Sequence, residues 1–168
     1  MKLILSDTNL NIKLQNDMTF IDLSSLKITN CVGCFGCWTK TPGKCVIRDD
    51  AVKVYPLIAK SDRVMYISRT KYGGYDTVMK TMLERAIPIQ KAFIRLVNGE
   101  THHVQRDVLP KSATIIAYGE ISYEEKEIFK DLISRNAYNM NFTDYNIIFT
   151  SEEMLEETVK SEVLKWEK

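Results

Sequence analysis

The sequence predicts an α/β fold built on a parallel sheet, and three observations point there. Short, near-continuous apolar runs rich in Ile and Val recur along the chain, as strands covered on both faces require. Between them lie segments with apolar residues at spacings of three and four, the mark of helices that bury one face. Strand and helix alternate, which favours parallel strands joined by right-handed crossovers.

The elements follow in order. Lys2–Leu5 is an apolar opening strand and Met18–Leu23 (MTFIDL) the second. Only about a dozen residues separate them, near the minimum for a helical crossover. Asp7–Asp17 (DTNLNIKLQND) therefore holds at most a stunted helix. Asp49–Lys60 reads as a helix carrying Val52, Val54, Leu57 and Ile58, with Asp49 or Asp50 able to cap its start. Arg63–Ser68 (RVMYIS) is the third strand. Tyr75–Ile87 then places Val78, Met79, Met82, Leu83 and Ala86 on one helical stripe. Pro88–Pro110 contains Asn98-Gly99 and both histidines, His102 and His103, and reads as a short hairpin or a lid. Ala113–Tyr118 (ATIIAY) is the fourth strand. In the helix Ser122–Asn141, Ser122 and Glu125 form a capping box, and Ile128, Leu132 and Ile133 supply the apolar face. Tyr145–Thr150 (YNIIFT) is the fifth strand. The last helix, Glu152–Trp166, carries Leu155, Val159, Val163 and Trp166.

Composition narrows the class. The chain's 168 residues suit one well-buried domain better than two, so residues 1–168 are read as a single domain. A formal net charge of +1 offers no strong field to nucleic acid or to an anionic membrane. The longest apolar runs fall far short of a membrane span, and Ser6 and Asp7 end the first one too early for a signal peptide. The expected location is the cytoplasm, where thiols are kept reduced.

In open parallel sheets, ligands sit beyond the carboxyl ends of strands where the strand order reverses. Three loops qualify: Ser6–Asn9, Arg69–Gly74 and Gly119–Ser122. In RTKYGGY (Arg69–Tyr75), Gly73-Gly74 lets backbone N–H groups approach a ligand, or simply makes the turn into the next helix. Tyr72 and Tyr75 can cover a flat ring, and Lys71 can meet an anion. Tyr118 and Gly119 border the same crevice.

The most specific signal is CVGCFGCWTKTPGKC, which holds all four cysteines: Cys31, Cys34, Cys37 and Cys45. Cys-x2-Cys-x2-Cys is the compact start of a ferredoxin-type cluster motif, and Cys45 can give the fourth thiolate. Paired, well-separated Cys-x-x-Cys knuckles, the usual zinc pattern, are lacking. A reactive thiol beside a redox cofactor, or small buried residues under a ligand, are the other readings. The histidines read as exposed on the hairpin, and Glu84-Arg85 and Glu124–Glu127 as solvated helix faces. Neither a Ser-His-Asp order, a Walker loop nor HExxH occurs, so a hydrolase has no foothold.

Taken jointly, CVGCFGCWTKTPGKCVIRDD, RTKYGGYDTVMKTMLERAIP and NGETHH resemble the flavodoxin-like NAD(P)H-dependent FMN reductases, including relatives of the iron–sulfur flavoproteins. Lys80, Leu83, Glu84 and Arg85 match that family's Lys…Leu-Glu/Asp-Arg segment. The resemblance implies a three-layer α/β/α fold with a five-stranded parallel sheet in order 2-1-3-4-5, here with a shortened first helix. It implies FMN across the carboxyl ends of strands one, three and four, reduced by NAD(P)H and reoxidised by a small-molecule or protein acceptor, in a homodimer or higher homo-oligomer. Arg69, Thr70, Tyr72, Gly73 and Gly74 would then contact the isoalloxazine, and Tyr118, Gly119 and Glu120 would close its other side. Ser6, Thr8 and Asn9 would meet the phosphate. In the iron–sulfur relatives the matching cysteines ligate a [4Fe–4S] cluster, which would make Cys31, Cys34, Cys37 and Cys45 its ligands; other related sequences with such cysteines are plain FMN reductases. The chain departs from the family at LSDTNLNIKLQND, which lacks the phosphate loop's glycine and arginine. Asp7 would repel a phosphate unless a helix N-terminus or Lys13 offset its charge. The alternative is a flavodoxin-like domain that has lost tight FMN binding and serves as a metal- or partner-binding module.

Overall fold

The computed structural model describes residues 1–166. Five parallel strands form one sheet: β1 (Lys2–Ser6), β2 (Met18–Asp22), β3 (Arg63–Lys71), β7 (Lys111–Tyr118) and β8 (Phe142–Thr150). Their spatial order is β2-β1-β3-β7-β8, the expected 2-1-3-4-5. Period-two alternation divides the side chains between two cores. Leu3, Leu5, Val64, Tyr66, Ala113 and Ile115 face the larger one. It is covered by α2 (Ala51–Lys60), α3 (Thr77–Glu84) and α4 (Tyr123–Met140). Ile4, Met65, Ile67, Ile116 and Tyr118 face the other, under α5 (Leu155–Lys165).

No helix forms between β1 and β2, so the shortening expected there is complete. Leu10 and Ile12 lie instead against the α5-side core in place of a helix. Eleven residues between two adjacent parallel strand ends leave too little chain to climb, turn and return as a helix.

Several boundaries shift for identifiable reasons. The third strand runs on to Lys71 because β4 (Gly74–Tyr75) folds back onto it, pairing Thr70 with Tyr75 and Lys71 with Gly74. The next helix therefore begins only at Thr77, capped by the Asp76 carboxylate. At α2 the N-cap residue is Asp50, but the carboxylate that meets the helix start is that of Asp49, its Oδ1 accepting from the Ala51 N–H at 3.1 Å. The Ser122–Glu125 capping box forms as expected, and Asn141 ends α4 in the left-handed region at φ 61°. The apolar face of α4 differs: Phe129, Ile133, Ala137 and Met140 are buried, whereas Ile128 and Leu132 are exposed. Residues 88–110 form the expected hairpin, with β5 (Gln90–Val97) paired to β6 (Glu100–Gln105) around Asn98-Gly99. A short α1 (Gly36–Thr39) lies inside the cysteine window, where none was expected. Among the described residues, no helix is long and apolar enough to cross a membrane.

Lys111, first in β7, is 1% exposed, with its ammonium donating to the Leu109 carbonyl. Burial pushes its pKa down to about 8. Between that value and the usual ~10.4, the unfolded chain holds the proton and the folded chain does not, so stability rises with pH there. Lys111→Met should erase that alkaline rise and gain on the order of 1 kcal/mol at pH 7. Urea midpoints at pH 7 and pH 10 check this; a variant with the parent's pH dependence refutes it.

Candidate functional site

The order of the sheet reverses between β1 and β3, and the crevice beyond their carboxyl ends is where ligands of such sheets lie. Asp7 follows β1 directly and stays hydrogen-bonded to β3, its N–H donating to the Ile67 carbonyl at 3.1 Å. Its carboxylate reaches across the strand ends. Oδ2 accepts from the Arg69 N–H at 2.7 Å and the Ser68 hydroxyl at 3.1 Å, and Oδ1 from the Tyr118 hydroxyl at 2.9 Å. Burial raises the Asp7 pKa, opposed by those three hydrogen bonds. Burial, together with the neighbouring Asp7 carboxylate, also pushes the Tyr118 phenol up, so it stays a donor. The Arg69 guanidinium lies 5.1 Å from the Tyr118 ring centroid and pairs with Glu152. Ser68, Asp7 and Glu152 are the members that sequence reading missed as partners. The readable signal was an aspartate one residue past the first strand, at the switch point.

The expected flavin residues are only partly brought together. Ser6 is buried and its Oγ accepts from the Thr8 N–H at 3.2 Å, while Asn9 is exposed. Thr70 donates to the Tyr118 carbonyl at 3.4 Å, and Gly119, at φ 116°, lies open toward the Arg69 side chain. Glu120 is exposed. Tyr72 and Gly73 are the two central residues of the β3–β4 turn, both with positive φ. Gly73 faces Ile128 of α4, and Tyr72 is 84% exposed with the Lys71 ammonium 5.6 Å from its ring centroid. A flavin phosphate at the switch point would find no helix N-terminus after β1 and would face the Asp7 carboxylate. The residues present do not fit the phosphate of FMN.

The cysteines make a second centre. All four line one cavity of about 50 Å³, walled by Val32, Phe35, Trp38, Val46, Ile47 and Ile87. Cys31 and Cys34 are exposed, Cys37 and Cys45 half-buried, and all are free thiols. Burial pushes the Cys37 thiol up, and its neighbours Cys45, Cys31 and Cys34 add to the effect. Positive φ at Gly33 and Phe35 bends the loop around the cavity. Among the described residues, no group of three or more His, Cys, Asp or Glu side chains is placed to hold a metal ion. By chemical type alone, four soft thiols around one apolar cavity are the donors an iron–sulfur cluster takes.

Arg85 is the unexpected member of this centre. It was expected on a solvated helix face, but it is 1% exposed. It lies just past α3, where the chain turns inward beneath the cysteine loop. Its Nη1 donates to Asp49 Oδ2 at 2.6 Å and the Thr29 carbonyl at 2.7 Å. Its Nη2 donates to Asp49 Oδ1 at 3.0 Å and Cys45 Sγ at 3.4 Å. The histidines also depart from the exposed positions expected. His102 is buried against α4, with Nδ1 3.1 Å from Asn139 Oδ1, because that face of the hairpin packs on the helix end. His103 on the opposite face lies 4.7 Å from Trp38, ring centroid to centroid, and Trp38 Nε1 donates to the Gln90 carbonyl at 3.0 Å. The hairpin and the cysteine loop are thereby fastened together.

No protein-family profile matches the sequence. An iron–sulfur flavoprotein of Archaeoglobus fulgidus is 38% identical over 68 residues, 40% of this chain. That match spans about 30% of the relative's own length. Among solved structures, the azoreductase AzrA superposes with a TM-score of 0.62 at 10% identity, covering 98% of this chain and 93% of that one. An FMN-dependent NADH-azoreductase from Bacillus anthracis, in complex with FMN, gives 0.57 at 10% identity over 98% and 96%. A NAD(P)H:quinone oxidoreductase from Methanothermobacter marburgensis gives 0.57 at 9% identity over 98% and 95%. The chain therefore has the flavodoxin-like fold of these azoreductases and quinone reductases, and part of it is similar in sequence to an iron–sulfur flavoprotein.

Proposed function

We propose that the chain is an electron-transferring oxidoreductase of the NAD(P)H- and flavin-linked class, with a [4Fe–4S] cluster on Cys31, Cys34, Cys37 and Cys45. The observation that carries this reading is the shared apolar cavity of the four thiols. The cluster, when bound, supplies one-electron chemistry. The chain's own residues do the rest. Four thiolates ligate; Phe35, Trp38, Val46 and Ile47 limit water; Arg85 donates to Cys45 Sγ and offsets negative charge. The fold shared with FMN- and NAD(P)H-dependent reductases, and the stretch similar to an iron–sulfur flavoprotein, support the class.

The flavin enters at the ends of β1, β3 and β7, bordered by Arg69, Thr70, Tyr118 and Gly119, with Tyr72, Gly74 and Glu120 on its rim. Its acceptor is a small molecule or a protein. Exposed Phe93, Ile94 and Leu96 on β5 give a homodimer an apolar face. The second reading, a flavodoxin-like module without tight FMN binding, is favoured by the Asp7 network.

Anaerobic purification followed by an absorbance spectrum and iron, sulfide and flavin analysis tests both. A broad brown absorbance that dithionite bleaches, and that Cys34→Ala abolishes, is the result expected. Colourless, iron-free protein after reconstitution with iron and sulfide defeats the cluster, and an unchanged spectrum in Cys34→Ala defeats ligation by that residue.

A further inference from the structure

We propose that the switch-point crevice takes flavins without reading their phosphate, because the Asp7 carboxylate already occupies the anion position. This rests on the reading that the crevice receives a flavin ring. On it, riboflavin and FMN are bound alike, and the flavin is an exchangeable substrate rather than a tightly held group.

Three features lead there. Anion sites in sheets of this order are built from N–H groups at the start of the helix after a strand. Here the chain after β1 runs on without a helix, and its Leu10 and Ile12 cover the sheet. Next, the nearest donors at the strand ends are already engaged. The Arg69 N–H and the Tyr118 hydroxyl serve Asp7, the Ser68 hydroxyl is divided between Asp7 and the Arg69 carbonyl, and the Thr8 N–H serves Ser6 Oγ. Third, the charges oppose an anion. Asp7 and Glu152 both stand at the crevice, and the Arg69 guanidinium is paired through Nη2 with Glu152. A phosphate monoester carries about −1.5 to −2 at neutral pH and would have to approach the Asp7 carboxylate, which already holds the Arg69 N–H and the Tyr118 hydroxyl. Riboflavin differs from FMN by that phosphate alone, so an anion position filled by Asp7 does not reward the larger ligand.

The experiment is a fluorescence-quenching titration of flavin-free full-length protein with riboflavin and with FMN, repeated with 10 mM inorganic phosphate as competitor at fixed ionic strength (an assay condition of roughly physiological order). The wild type should bind the two flavins within about threefold of each other, and phosphate should not compete. Asp7→Asn keeps the side chain's shape while removing its charge, and its amide can donate. It should bind FMN at least about tenfold tighter than riboflavin, the size of one nearby like charge removed, and phosphate should now compete. Tyr118→Phe keeps the charge and loses one partner; it should retain the wild-type ratio. A wild type that prefers FMN by about tenfold or more overturns the inference. So does an Asp7→Asn protein, folded by circular dichroism, that gains no preference for FMN. A wild type that binds neither flavin while Asp7→Asn binds FMN defeats the flavin part of the functional reading, yet upholds Asp7 as the occupant of the anion position.

Discussion

Arg85→Met is expected to lower stability by about 3–5 kcal/mol, the usual cost of stripping one partner from a buried ion pair. Arg85 joins three stretches of chain that have no regular structure to hold them together. Its guanidinium donates to both oxygens of Asp49 before α2, to Thr29 ahead of the cysteines, and to Cys45 Sγ at their end. The variant leaves the Asp49 carboxylate with only the N–H and hydroxyl of Thr29 and the N–H of Ala51. Although burial opposes its ionisation, the hydrogen bonds from Arg85, Thr29 and Ala51 hold the Asp49 carboxyl well below the usual carboxylate range. The sign follows. Asp49's folded pKa lies below its unfolded ~3.9, so its contribution is complete above that value and is lost as pH falls further. The parent should lose stability below about pH 4, and Asp49→Asn should flatten that limb. Urea midpoints give the stability, and alkylation of Cys45 by iodoacetamide reports whether the loop has loosened. An Arg85→Met protein within about 1 kcal/mol of the parent and with unchanged alkylation would mean that the guanidinium does not hold the loop.

The strands were legible because β1, β3 and β7 are covered on both faces, and that leaves an unbroken apolar run in the sequence. The two cores are the same alternation seen from its two sides. What sequence could not show was pairing at a distance. Arg85 sits in a polar Glu-Arg pair, and only tertiary structure reveals that Asp49, thirty-six positions away, turns toward it beneath the cysteine loop. Ile128 and Leu132 match the helical period, yet α4 is rotated so that Phe129 and Ile133 face the sheet instead. Phe129 meets Tyr75 edge-on at 5.2 Å and Phe149 at 6.0 Å, and those two contacts fix the rotation. His102 looked exposed because a hairpin tip is usually solvated; the position of α4 beneath it decided otherwise. At the candidate site, the cysteine cluster was visible because spacing alone defines it. Asp7 was visible as an obstacle to phosphate, but its three donors come from β3 and β7, sixty and more than a hundred residues on.

Gly73→Ala is expected to cost about 2–4 kcal/mol, from backbone strain and a steric conflict together. Gly73 adopts φ +70° in the β3–β4 turn, a conformation that an L side chain occupies only under strain. Its Cβ would lie 2.8 Å from Ile128 Cβ and 2.7 Å from Cγ2. Because the Cβ atom is fixed to the helix backbone, rotating the Ile128 side chain cannot relieve both contacts, and the turn and α4 must part. Ile128 itself is 55% exposed, so shortening it to alanine costs little on its own. Gly73→Ala in an Ile128→Ala background should therefore recover the Cγ2 part of the loss and keep the strain, which a double-mutant cycle resolves. The same cycle decides what the glycine is for. If Gly73 serves the approach of a flavin, as the RTKYGGY resemblance implies, the single variant melts near the parent temperature and loses flavin affinity. If it serves the packing of the turn on α4, the variant unfolds early and Ile128→Ala rescues it in part. The 2.7 Å contact favours the second outcome, because at that distance the helix claims the space before any ligand can.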